Sequence, residues 1–117
     1  GYNLVTATND PTAHAEIVAI RRACEVLADF RLSGCEIFVN CEPCPMCLAA
    51  LYWAGIERVT YAADRYDAAA LGFADAHIYA EISNDISQRG MEMSQVGRDE
   101  ALAVFAQWDS MAEKTTY

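Results

Sequence analysis

Apolar residues at Ile17, Ile20, Ala23, Cys24, Leu27 and Ala28 recur every three or four positions, which predicts an amphipathic helix over residues 12–30. Asp10 is suited to cap it and Pro11 to open it. Residues 2–8, β-branched and aromatic, have a strand's composition and end at the turn signal Asn9-Asp10-Pro11. After the break at Ser33-Gly34, Ile37-Phe38-Val39 is a short apolar run of strand length. Residues 44–54 return to a helical pattern that stops at Gly55. Val59-Thr60-Tyr61-Ala62 predicts a third strand. Residues 64–90 are mixed, with a short helix expected at 67–70 and a loop around Gly72-Phe73-Ala74-Asp75. A last strand is expected at 91–96. A last helix, at 99–112, carries a stripe of Leu102, Phe105, Trp108 and Met111 or Ala112. Strands alternating with helices predict an α/β layered sheet. No repeat, low-complexity run or linker interrupts the chain, so one domain is expected over residues 1–117.

Composition narrows the class. Hydrophobic residues make up 54% of the 117 and charged residues 21%, a globular balance. Eight Lys and Arg stand against seventeen Asp and Glu, for a net charge of −9. Proteins that track phosphates depend on a basic surface, so a small free ligand is expected rather than nucleic acid. No apolar run is long enough to span a membrane, and no signal peptide is expected. The five cysteines are odd in number and Cys41, Cys44 and Cys47 crowd into one run. This points away from a disulfide framework and towards reduced thiols of a cytoplasmic protein acting as metal ligands.

The chemistry concentrates in His14-Ala15-Glu16 and, thirty residues after the histidine, Pro43-Cys44-Pro45-Met46-Cys47. One imidazole and two thiolates supply three zinc ligands, and the fourth position is left open, as in catalytic sites. Cys44 and Cys47, three apart, share one face of a helical turn. A helix N-terminus and the metal both lower a thiol pKa. Glu16 supplies a base beside the metal. Inside a helix, residues two apart diverge by about 200°, so Glu16 reaches the open position only if His14 lies at the helix start. His-x-Glu with Pro-Cys-x-x-Cys is the signature of zinc deaminases acting on nucleobases. A redox pair or half of a structural zinc site also fits an isolated Cys-x-x-Cys, but neither uses Glu16. Cys41-x-x-Cys44-x-x-Cys47 has the spacing of an iron–sulfur run, yet Cys24 and Cys35 are not placed as its fourth ligand. Cys41 is expected to be a buried thiol at a strand end.

The motif segments Asn9 to Glu16 and Cys41 to Cys47, with Tyr52-Trp53-Ala54, Asp67-Ala68-Ala69, Gly72-Phe73-x-Asp75 and the terminal Tyr117, resemble the cytidine deaminase-like superfamily and, within it, the bacterial guanine deaminases. The similarity covers nearly the whole chain. It implies a three-layer α/β/α fold with a five-stranded mixed sheet, and a homodimer in which the C-terminal segment crosses to the partner. It also implies that a helix and a first strand precede this segment in the family, so the chain is expected to lack them.

The activity implied is zinc-dependent hydrolytic deamination of a free purine base, guanine to xanthine and ammonia. His14, Cys44 and Cys47 hold zinc, and Glu16 moves the proton. By the same resemblance Asn3 hydrogen-bonds the base and Asp75 assists at its amino edge, with Glu81 a second acidic candidate for proton transfer. Trp53, Phe73 and His77 are candidate pocket walls, with Ala15 and the backbone N–H of Cys44 beside the reacting atoms. Ordinary core positions fit Trp53 and Phe73 equally well, and a solvated carboxylate fits Glu81. Deaminases of cytosine, tRNA adenosine or an aminated triazine share the chemistry, and a non-catalytic zinc module shares the ligands.

Overall fold

The computed structural model describes residues 1–116, so the terminal Tyr117 lies outside the described residues. The chain divides into two compact units, Gly1–Ser83 and the stretch from Asn84 onwards. No helix among the described residues is long and apolar enough to cross a membrane.

In the first unit the elements run α1 Val5–Thr8, α2 Ala15–Leu27, β1 Glu36–Cys41, α3 Pro45–Trp53, β2 Arg58–Ala63, α4 Arg65–Ala70 and α5 Asp75–Ser83. β1 and β2 pair in parallel, with Glu36 opposite Arg58 and Cys41 opposite Ala63. Parallel neighbours need a crossover, and α3 provides it. Glu42 N–H extends the ladder to the Ala63 carbonyl at 2.8 Å. The buried apolar residues include Ala13, Val18, Leu32, Leu51, Ala54 and Ala68, together with Cys44 and Cys47.

Several expectations change. Residues 2–8 do not form a strand. Asn3 Oδ1 accepts the Val5 N–H at 3.0 Å, and Thr8 bonds the Leu4 carbonyl through both its N–H and its hydroxyl. These local bonds give the backbone partners without a neighbouring strand, and a single helical turn results. Asp10 does not cap α2. Its carboxylate accepts from the Thr12 N–H at 2.8 Å and the Thr12 hydroxyl at 2.7 Å, and it faces Arg21 at 3.6 Å. That turn occupies the chain until His14, which takes the N-cap position with ψ 159°. α2 ends at Leu27 because Ala28 turns left-handed, φ 52°.

α5 was not foreseen inside the mixed stretch. Three of the five expected strands are not matched among the described residues: one was never individually placed by the apolar pattern, and those expected at 2–8 and 91–96 do not form. Among the described residues the sheet has two strands.

The second unit holds a 3-10 turn at Ile86–Gln88 and α6 at Arg98–Asp109. No strand forms at 91–96. Met91 and Val96 are exposed, and a lone segment with no partner for its backbone groups gains nothing from extension. α6 starts at Gly97 in the left-handed conformation, φ 68°. Its stripe of Leu102, Phe105, Trp108 and Met111 is exposed. Met111 and Ala112 lie beyond the helix end at Asp109.

Candidate metal centre and active-site cleft

Two helix starts build the metal centre. His14 is the N-cap of α2, and Cys44 is the N-cap of α3 with Pro45 as the first helical residue. Both residues are extended, with ψ 159° and 167°. Pro45 fits there because the first helical N–H has no intrahelical acceptor. Cys47 lies within the first turn of α3 and is fully buried, 0% exposed. One donor atom from each of His14, Cys44 and Cys47 lies within 4.8 Å of the other two. Cys44 Sγ is 3.7 Å from His14 Nδ1. Zinc bonds of ~2.3 Å to sulfur and ~2.0 Å to nitrogen place neighbouring donors of a tetrahedral site about 3.5–3.8 Å apart. The residues therefore fit a zinc ion in both chemistry and spacing.

The two thiols differ in charge state. A hydrogen bond from the Cys47 thiol lowers the Cys44 pKa to about 6, with help from nearby backbone N–H groups and from His14. Cys47 is pushed far up by that same bond, by burial and by the charge of Glu16. The metal-free pair thus keeps one proton between two sulfurs, and a divalent cation displaces it. The influence of Glu16 on Cys47 also locates its carboxylate beside the triad. His14 precedes the helix, so the angular divergence expected within a helix does not separate it from Glu16.

A cleft of ≈ 380 Å³ opens over the centre. It is lined by Asn3, His14, Ala15, Glu16, Cys44, Phe73 and Asp75, all anticipated from sequence. Asn40, Cys41, Glu42, Ala63, Asp67, Ala68 and Leu71 complete it and were not anticipated as lining. The ends of both strands and α4 with its C-cap Leu71 contribute them, and only the parallel pairing of β1 with β2 brings these segments together. Trp53 ends α3, is 65% exposed and is not among the lining residues. His77 is exposed and Glu81 half-buried on α5, and neither lines the cleft. Cys41 is half-buried rather than buried, and stands outside the ligand triad. Burial and the neighbouring charge of Asp75 raise its pKa, so it stays a thiol.

One cluster was invisible to sequence reasoning. The Glu42 carboxylate accepts from the Arg65 N–H at 2.9 Å and from its guanidinium at 2.5 and 3.1 Å. The Arg65 guanidinium also lies over the Tyr79 ring, 3.7 Å from its centroid. The Tyr79 hydroxyl donates to the Pro43 carbonyl at 2.9 Å. The Arg65 bonds hold the Glu42 carboxyl below its ordinary range. A carboxyl depressed on folding stabilises above its unfolded pKa of ~4.3, and that contribution disappears as pH falls through the lower folded value. Accordingly, the stability gap between wild type and Glu42→Gln should be constant above pH ~5 and close below pH ~4. Urea titrations at several pH values would measure it, and a gap independent of pH would rule out the assignment.

Residues 1–63 match the family described as the cytidine and deoxycytidylate deaminase zinc-binding region. The chain is 49% identical over 117 residues to a guanine deaminase of Bacillus subtilis (strain 168), covering 100% of this chain and 75% of the relative. A tRNA-specific adenosine deaminase of Agrobacterium fabrum (strain C58 / ATCC 33970) is 51% identical over 61 residues, 52% of this chain and 40% of the relative. The X-ray structure of guanine deaminase from Bacillus subtilis matches with a TM-score of 0.94 at 49% identity, over 100% of this chain and 74% of that one.

Proposed function

Because the chain belongs to the cytidine and deoxycytidylate deaminase zinc-binding family and shares its α/β fold, we propose that it is a zinc-dependent hydrolytic deaminase converting guanine and water to xanthine and ammonia. The observation that carries this reading is the His14, Cys44 and Cys47 triad with Glu16 beside it at the head of an open cleft. The full-length likeness to a guanine deaminase favours a purine base. The likeness to the tRNA-specific enzyme spans only about half of the chain.

Held by His14, Cys44 and Cys47, a zinc ion would supply the Lewis acidity that makes water a nucleophile near neutral pH. Glu16 accepts a proton from the attacking water and delivers it to a ring nitrogen of the base. The carbon bearing the amino group, C2 of guanine, becomes electrophilic and gains the oxygen. The proton of the added hydroxyl passes to the amino group, the C–N bond breaks, ammonia leaves and the oxygen becomes the C2 carbonyl of xanthine. Glu81 is a second acidic candidate for that last transfer, although its place on α5 is outside the cleft lining.

Recognition follows from donors and acceptors. The oxygen of the Asn3 amide already accepts from Val5 N–H, so its NH2 is the group offered to an acceptor on the base. The Asp75 carboxylate, at the start of α5, accepts from the N–H edge of guanine. Phe73 offers an apolar face, and Trp53 and His77 are assigned to the pocket on resemblance alone. Ala15 and the Cys44 N–H stand at the two helix starts, where a developing negative charge is stabilised. The described lining carries the carboxylates of Glu16, Glu42, Asp67 and Asp75 and no Lys or Arg. With a net charge of −9, this supports a free base rather than a phosphate-bearing substrate or nucleic acid.

The assembly that fits is a homodimer with exchanged C-terminal segments. The exposed stripe Leu102, Phe105 and Trp108 on α6 supports it. The full architecture would be three layers around a five-stranded mixed sheet, of which β1, β2 and their crossover are the observed part, with both units forming one deaminase domain. Cysteines free of disulfides suit a cytoplasmic protein.

Incubation with guanine, adenine, cytosine and cytidine should release ammonia fastest from guanine, and no release from any of them would overturn the reading. Asp75→Ala should lower kcat/KM for guanine about 10- to 100-fold, the worth of a hydrogen bond to a charged group, while zinc content stays at wild-type level. Unchanged kinetics would remove Asp75 from the pocket.

A further inference from the structure

The Glu42, Arg65 and Tyr79 cluster lies against the segment that carries the zinc ligands, and the catalytic reading above makes no use of it. Its three residues come from the position just after β1, the start of α4 and the middle of α5. They converge on Glu42 and Pro43, immediately before Cys44. The Pro43 carbonyl belongs to the peptide plane that also contains the nitrogen and Cα of Cys44. A hydrogen bond from Tyr79 to that oxygen, 2.9 Å, therefore orients the backbone from which the Cys44 thiol departs. Arg65 fixes the preceding residue, with side-chain exposures of 30% for Arg65 and 14% for Glu42, and stacks on the Tyr79 ring at 3.7 Å.

The same helix links this bracing to the cleft. Asp75 and Tyr79 are four residues apart on α5, hence on one face. α5 packs against α3 and α4. Whatever holds Tyr79 on Pro43 also holds the distance between the ligand loop and Asp75.

We propose that Arg65 and Tyr79 are positioning residues that preset the Cys44 end of the zinc site and tie it to the substrate helix. This rests on the zinc-binding part of the functional reading. Neither side chain coordinates the metal or meets the base; each acts through Glu42 and Pro43.

The test uses zinc-loaded full chain. Wild type, Tyr79→Phe and Arg65→Lys are mixed with excess chromogenic chelator well below their melting temperatures, and zinc release is timed. Tyr79→Phe keeps the ring and deletes only the hydroxyl bond; Arg65→Lys keeps the charge and loses the fork. Outer bonds that orient a metal site are typically worth 10- to 100-fold in affinity, so release should quicken about 10-fold in each. Tyr66→Phe, at an exposed neighbour on α4, should release zinc at the wild-type rate. A role confined to fold stability would lower melting temperatures and leave release rates at the test temperature unchanged. Rates within twofold of wild type in both variants would overturn the proposal, and if one variant fails to fold, the other carries the same test. Wild type that binds zinc but turns over no base would sink the deaminase reading and leave the release rates to judge the brace.

Discussion

Glu16→Gln should bind zinc as wild type does and lose about 10²- to 10⁴-fold of its turnover, the usual weight of a positioned general acid–base. Glutamine keeps the length and the hydrogen-bonding shape of the side chain but accepts no proton. Position 16 lies in the first turn of α2, two residues after the N-cap ligand, and lines the cleft. The substitution alters none of the three ligands. It also removes a negative charge that disfavours the Cys47 thiolate, so metal retention is not weakened. Metal analysis after dialysis and ammonia release from guanine check both halves. A variant within tenfold of wild-type turnover would end the proton-shuttle role.

Cys47→Ser should empty the site and destabilise the fold together. Cys47 is fully buried, 0% exposed, and Cys44 is 7% exposed. A serine hydroxyl is not deprotonated at neutral pH, so the variant has two ligands in place of three. It also places a polar group in an apolar position, where an unsatisfied hydroxyl costs ~1–3 kcal/mol. Dialysed Cys47→Ser should contain almost no zinc and melt earlier than wild type. Cys41→Ser is the control. Cys41 sits on β1 outside the triad, so its variant should keep zinc. Stoichiometric zinc in Cys47→Ser, or its loss from Cys41→Ser, would show that the ligands are wrongly chosen.

The metal centre was legible because its information is local. Spacing of two or three residues, a proline and a helix start determine where a histidine and two thiols can point. β1, α3 and β2 were legible for a similar reason, as apolar runs bounded by Gly34, Pro43 and Gly55. α1 was misread because β-branched composition describes what a segment tolerates, whereas the Asn3 amide decides which bonds its backbone makes. The supposed strand at 91–96 failed on the same point, since extension needs a partner that composition does not reveal. α5 escaped notice because its residues Asp75 to Ser83 follow a glycine turn and mix polar with apolar positions. The bonds that matter most around Cys44 join residues 23 and 36 positions apart. No motif at fixed spacing reports them; they exist only once β2 has been laid beside β1.

Two of the three ligands are also among the buried residues of a small core. Any species that binds the native chain and not the unfolded one raises stability with the logarithm of its free concentration. Zinc supply therefore governs more than the fraction of active molecules: under metal starvation the chain becomes more open to proteolysis, and its cellular lifetime follows the metal.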